Sequence, residues 1–120
     1  MITSLSALRE EGFSHLLCSN LAHIRLGQTL GFCLHGDFGL NVMNSDSMAV
    51  LAAWGLADIT ASFELKLSQL SDRRSTIPCG IAAYGRLPLM LTRLCPSREE
   101  VGCKACPGAL TDRTARTLPV

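Results

Sequence analysis

The sequence has almost no charge to spare: 11 lysines and arginines stand against 10 acidic residues, a formal net charge of +1 over 120 residues. That balance excludes binding driven by a broad phosphate-neutralising surface, which needs a basic excess. Aromatic residues are scarce at 5%, so a core must be filled by Leu, Ala, Ile, Val and Met. No uncharged apolar run approaches the roughly 18 residues of a membrane-spanning helix; the longest, Met48 to Trp54, suits one short helix. Met1 to Gly12 lacks the basic start, apolar middle and small-residue cleavage site of a secretory signal, and a cytoplasmic location is expected. Also absent are the phosphate-cradling P-loop, the dinucleotide G-x-G-x-x-G, the zincin H-E-x-x-H and the hydrolase G-x-S-x-G.

What is present is apolar. Hydrophobic residues make up 48% and mean hydropathy is +0.26, which excludes a disordered tail and implies one domain with substantial burial. Six cysteines in a reducing compartment read as free thiols or metal ligands rather than a disulfide framework. They divide unevenly. Cys18, Cys33 and Cys79 stand alone in apolar segments and are expected to pack as small buried hydrophobes. Cys95, Cys103 and Cys106 crowd together near the end.

Helical and strand patterns alternate along the chain. Ser4 or Ser6 caps an expected first helix with Ile2, Leu5 and Leu8 in phase and Gly12 as its stop. His15 to Cys18 reads as a strand, Leu21 to Leu30 as a second helix closed by Gly31, and Phe32 to His35 as a second strand. Ser45 or Asp46 caps a third helix that Gly55 ends. Asp58 to Phe63 is the third strand, Leu65 to Leu70 the fourth helix and Pro78 to Tyr84 the fourth strand. A loop-rich, proline-containing tail follows, in which Leu118-Pro119-Val120 begins to resemble another strand.

Strands joined by helices must run parallel, and strands apolar on both faces belong in a covered parallel sheet. The expected fold is α/β: a partial TIM-type (βα) barrel over 1–94 with a cysteine-rich tail over 95–120. A closed eight-unit barrel takes about 250 residues, so the repeats amount to about half of one. Either the remainder of a longer chain or a second copy is expected to complete it.

Cys95-Pro96 with Cys103-Lys104-Ala105-Cys106 is the sharpest chemical signal. A Cys-x-x-Cys pair offers two thiolates from one turn, and a third upstream adds a vertex; soft thiolates suit an iron–sulfur cluster or zinc. Pro96, Gly102, Pro107 and Gly108 support a tight ligand loop. In parallel barrels chemistry gathers at the carboxyl ends of the strands. That rim is expected to carry Asn20, His35, Asp37, Asn41, Asn44, Ser62, Glu64, Tyr84 and Arg86 together with the trio Cys95, Cys103 and Cys106, with Asn41, Asn44, Glu64, Tyr84 and Arg86 as candidate substrate contacts. His15 and His23 read as packed or solvated, His35 as better placed but without an evident nucleophile partner. Arg73-Arg74 reads as a solvated helix end, and Thr111-Asp112-Arg113 with Arg116 as a surface turn.

Several of these blocks carry a family resemblance. Gly36-Asp37-Phe38-Gly39-Leu40-Asn41 with Asn44-Ser45, then Ser62-Phe63-Glu64-Leu65, then Tyr84-Gly85-Arg86-Leu87-Pro88-Leu89-Met90 through Arg93 and Cys95-Pro96, resemble the U-32 family of collagenase-like peptidases. Gly102-Cys103, Cys106 and Leu110-Thr111-Asp112-Arg113 resemble its cysteine region. The resemblance covers most of Gly36 to Val120, in matching order. It implies a TIM-type barrel enzyme with four cysteines on a [4Fe–4S] cluster. The activity implied is that of a peptidase or of oxygen-independent hydroxylation of RNA bases or a ubiquinone-type ring. Cys95, Cys103 and Cys106 would be three of the ligands, with the fourth expected beyond Val120. Leu94 stands where the family commonly has Asn, and Ala115 where it usually has Gly. The alternatives are a zinc-bound structural module, in which the three cysteines and a histidine clamp the loop, and an inactive barrel remnant that binds a partner chain.

Overall fold

Two glycines punctuate the helical segments as their backbones require. Gly31 and Gly55 take φ of +72° and +83°, a region that costs any residue with a Cβ, and so end two helices. The computed structural model describes residues 2–71, 74–88, 93–95, 98 and 101–119. The chain divides into two compact units, Met1–Gly85 and Arg86–Val120. Both this division and the expected one at 94/95 leave Cys95, Cys103 and Cys106 in the second unit.

The first unit alternates helix and strand: α1 (Ile2–Glu10), β1 (His15–Cys18), α2 (Leu21–Thr29), β2 (Cys33–Gly36), a 3₁₀ turn (Phe38–Leu40), α3 (Ser45–Ala53), β3 (Leu56–Thr60), α4 (Leu67–Ser71) and β4 (Cys79–Gly80). The four strands form one parallel sheet in the order β1-β2-β3-β4. It is an open sheet with β1 and β4 at its edges, so the fold among the described residues is mixed α/β without closure.

The core lies on the helix side of the sheet. Cys18, Leu34, Leu56 and Ile59 meet Ile24 of α2 and Met48 and Leu51 of α3, with Phe32 and Val42 filling between. Leu5 of α1 packs on the same cluster, and the Arg9 guanidinium sits 5.6 Å from the centre of the Phe32 ring. Burial of Cys18 raises its thiol pKa by desolvation. The opposite face carries His15, Leu17, Cys33, His35 and Asp58, and among the described residues of this unit no helix covers it: Leu17 is 60% exposed.

A register shift shapes that open face. Leu34 pairs with Leu56, yet the next residue, His35, pairs with Asp58, and Gly36 with Ile59. Ala57 is the extra residue of a β-bulge. Without it Asp58 would lie opposite Gly36, on the helix side; with it both Leu56 and Ile59 turn into the core and the carboxylate faces His35.

Several expected boundaries shift, each for a local reason. Ser4 and Ser6 lie inside α1 rather than capping it, and the Ser6 hydroxyl donates back to the Ile2 carbonyl (3.1 Å). Asn44, not Ser45 or Asp46, caps α3: its side-chain carbonyl accepts from the Ser47 N–H at 2.8 Å. The third strand starts earlier and ends earlier than expected, at Thr60. The fourth strand shrinks from Pro78–Tyr84 to Cys79–Gly80, because β3 offers a ladder only to Ile59 and Thr60. Cys33 and Cys79 are exposed, not buried; only Cys18 of the three is in the core.

In the second unit, β5 (Ala109–Thr111) and β6 (Thr117–Pro119) pair antiparallel. Leu118-Pro119 thus belongs to a hairpin and not to a further parallel strand. At the turn, Asp112 accepts hydrogen bonds from the N–H groups of Thr114 (2.7 Å) and Arg116 (2.9 Å) and from the Thr114 hydroxyl (2.8 Å). The backbone bond from Arg116, then the Thr114 side chain, hold its carboxyl below the usual aspartate value. Ala115 follows at φ +62°, in the left-handed region where the family resemblance places a glycine. Arg73, Leu89, Met90, Pro96 and Val120 lie outside the described residues.

Candidate functional site

The loops that leave the carboxyl ends of β1, β2 and β3 touch one another. The Asp37 N–H donates to the Cys18 carbonyl (2.9 Å), and Gly39 comes so close to Ser19 that a Cβ there would lie 2.8 Å from its carbonyl oxygen. The Ser62 N–H donates to the Val42 carbonyl (3.0 Å), and the Phe38 and Phe63 rings meet edge to face at 5.8 Å. The blocks Gly36–Asn44 and Ser62–Leu65, far apart in sequence, are therefore one surface.

On that surface Asp37 caps the 3₁₀ turn, its carboxylate accepting from the Phe38 N–H (2.8 Å). Asn41 ends the turn in the left-handed conformation (φ +50°) with its side chain exposed. The side-chain carbonyls of Asn20 and Asn44 are used as caps of α2 and α3. Ser62 is buried, its hydroxyl accepting from the Glu64 N–H (3.4 Å), while Glu64 itself is exposed. A cavity of about 320 Å³ opens here, lined by Ser62, Phe63, Leu65, Leu70, Ile81 and Ala83 among others. Of the remaining candidates, Tyr84 is fully exposed and Arg86, exposed, belongs to the second unit.

A second constellation lies on the open face of the sheet, toward the amino ends of the strands. His15 and Cys33 are register partners on β1 and β2, and His35 lies two residues past Cys33 on the same face. His15 Nδ1 is 2.8 Å from His35 Nε2, with the rings stacked at 5.1 Å. His35 Nδ1 is 2.7 Å from Asp58 Oδ2. The ligand atoms of His15, Cys33 and His35 all lie within 4.8 Å of one another, a group that could hold a metal ion. An ionised carboxylate only accepts, so His35 Nδ1 carries a proton and donates it to Asp58. The other His35 nitrogen, Nε2, faces His15 Nδ1, and the ring tautomers set which of the two donates. Reading the residues one at a time missed His15 and Cys33; the Cys-x-His spacing of Cys33 and His35, one face of a strand, was the available signal.

In the second unit Cys95 and Cys103 are exposed and Cys106 is half-buried. The Cys106 sulfur accepts from the Gly108 N–H at 3.4 Å. Among the described residues these three thiols do not form a group gathered as tightly as the His–Cys–His set. A [4Fe–4S] cluster takes one thiolate at each iron, so its ligands stand farther apart than those around a single ion.

No helix among the described residues is long and apolar enough to cross a membrane. Comparison of the chain with family models, with curated proteins and with solved structures found no match.

Proposed function

We propose that the chain is part of a cytoplasmic iron–sulfur enzyme of the U-32, collagenase-like peptidase kind, built as an incomplete (βα) barrel. The observation that carries this reading is positional. Two of the resembling blocks follow directly on β2 and β3, at the carboxyl ends of parallel strands, and hydrogen-bond to each other through Val42 and Ser62. Barrel enzymes keep their chemistry there. The left-handed backbone at Ala115 adds support, since a glycine, which the resemblance expects there, adopts that conformation without cost.

In this reading a substrate binds over the rim made by Asn41, Asn44 and Glu64, beside the cavity that Phe63 helps to line, with Tyr84 as a further contact. The near-zero net charge favours a peptide or a small ring system over a long nucleic acid. Cys95, Cys103 and Cys106 would hold the cluster, whose contribution is electron transfer, and the Gly108 N–H would tune it by bonding to a ligand sulfur. A parallel sheet is ordinarily covered on both faces. The bare face around Leu17 therefore supports further polypeptide, from the same chain or a second copy, closing over it.

Anaerobic incubation of the chain with ferrous iron, sulfide and a small thiol as fourth ligand tests the cluster. Broad visible absorbance with stoichiometric iron and sulfide is expected, and its loss when Cys95, Cys103 and Cys106 are changed to Ser. A colourless product that retains neither iron nor sulfide refutes the reading.

A further inference from the structure

We infer that His15, Cys33 and His35 form a binding site for a zinc-class divalent cation, separate from the three tail cysteines, with Asp58 as the positioning residue. Two imidazoles and a thiol are the donor set that borderline-soft ions select. Three observations place them as ligands rather than as scattered polar residues. The three donor atoms converge within 4.8 Å. They come from paired strands, whose backbone ladder holds His15 beside Cys33. The remaining nitrogen of His35 is anchored on a carboxylate at 2.7 Å, the arrangement that fixes the tautomer and orientation of metal-bound histidines.

The bulge at Ala57 is what brings that carboxylate onto the open face. Bulges collect where a strand must re-aim a side chain, and here the re-aimed residue is Asp58. Tetrahedral zinc, with bonds of about 2.0–2.1 Å to nitrogen, sets its two imidazole nitrogens roughly 3.3 Å apart, against 2.8 Å in the metal-free pair. On binding, the cation replaces the His15–His35 hydrogen bond. His15 Nδ1 and His35 Nε2 each donate a lone pair, so the proton shared between them leaves for another ring nitrogen or solvent, and the Cys33 thiol gives its proton to solvent. Three protein ligands leave a fourth position on the open side of the sheet for water. His35 Nε2 is directed at His15 and not at Cys33, which disfavours the competing view of Cys33, His35 and Asp58 as a nucleophile, base and orienting acid.

Cobalt(II) is the probe, added to the full chain carrying Cys95→Ser, Cys103→Ser and Cys106→Ser so that only this site offers a thiolate beside histidines. A near-ultraviolet thiolate-to-cobalt band with visible bands of four-coordinate intensity is expected, displaced by an equivalent of zinc. Cys33→Ser must abolish the thiolate band, and His15→Ala and His35→Ala must weaken binding at least tenfold. Asp58→Asn must keep the band in place while weakening affinity about 10–100-fold. Zinc must also raise the thermal midpoint of the triple-Ser chain and leave that of its His35→Ala derivative unchanged. No thiolate band, or a band untouched by Cys33→Ser, overturns the inference. Selective alkylation of Cys33 that saturating zinc does not slow overturns it equally.

Discussion

Replacing Gly36 by alanine probes the contact on which the sheet's geometry depends. Gly36 is buried on the helix side of β2, and a Cβ there would lie 2.7 Å from Ile59 Cγ1, 2.8 Å from Leu56 Cδ2 and 3.3 Å from the Ile59 Cα. Leu56 can rotate its methyl aside. Ile59 cannot, because a β-branched side chain is stiff at χ1 and the third atom is backbone, so the spacing of β2 and β3 must yield. Overpacking of this sort costs about 1–3 kcal/mol. Gly27→Ala in α2 is the matched control. Its Cβ would press on Leu34 Cδ2 and Leu16 Cδ2, both free ends of flexible side chains, and alanine gains about 1 kcal/mol of helix propensity over glycine. The two substitutions add the same methyl group to the same core, and Gly36→Ala should cost clearly more. Urea unfolding followed by far-ultraviolet circular dichroism reads this directly, since all the described helices lie in the first unit. With a slope of about 2 kcal/mol per molar, the Gly36→Ala midpoint should fall by roughly 1 M. A Gly36→Ala midpoint equal to the parent's, or a larger loss in Gly27→Ala, would show that β2 and β3 are not packed at this distance.

Two further outcomes are expected in the hairpin of the second unit. Ala115→Gly should stabilise it by about 1 kcal/mol, because an L side chain at φ +62° is strained and glycine is not; slower amide exchange at Leu110 and Leu118 checks this, and faster exchange refutes it. Asp112 accepts three hydrogen bonds in its charged form and its native pKa is lowered, so the turn is fully stabilised above the usual aspartate value and loses that support as pH falls through the lowered native one. Amide shifts of Thr114 and Arg116 should follow a single titration below the usual aspartate value, and a midpoint at or above it would contradict the geometry.

How much of this was legible in the sequence depends on whether the determinant was local. β1 falls at His15–Cys18 as its pattern demands, and α2 and α3 end beside Gly31 and Gly55, because strand patterning and left-handed glycines act within a few residues. Capping was only half legible: Asn44, Ser45 and Asp46 all carry capping oxygens, and the choice among them rests on which backbone N–H is left over once the helix is placed. The fourth strand was misread for a non-local reason. Ile81-Ala82-Ala83 is apolar enough to be a strand, but a strand needs a partner, and beyond Thr60 the chain turns away, leaving the Ala61 N–H on the Gly80 carbonyl as the last link. The His–Cys–His group was hidden in the same way. Cys33 and His35 share a face by spacing alone, whereas His15 joins them through the register of a neighbouring strand and Asp58 through a bulge that no local pattern announces.

The two sites place different demands on whatever covers the sheet. Under the proposed function the rim, at the carboxyl ends, must stay open to receive a substrate. The His–Cys–His group lies on the face that a completed barrel would close, where polar side chains become costly unless each finds a partner. The chain from His15 through His35 to Asp58 partners both His35 nitrogens, one His15 nitrogen and one carboxylate oxygen in the absence of metal; a bound cation would engage the Cys33 sulfur as well. An ion held there ties β1 to β2 directly and β3 through Asp58, the three strands whose carboxyl ends carry the rim. The polar face and the missing helical cover are thus compatible: a bound cation would engage the three donors gathered there and cross-link the strands whose following loops carry Asn41 and Glu64.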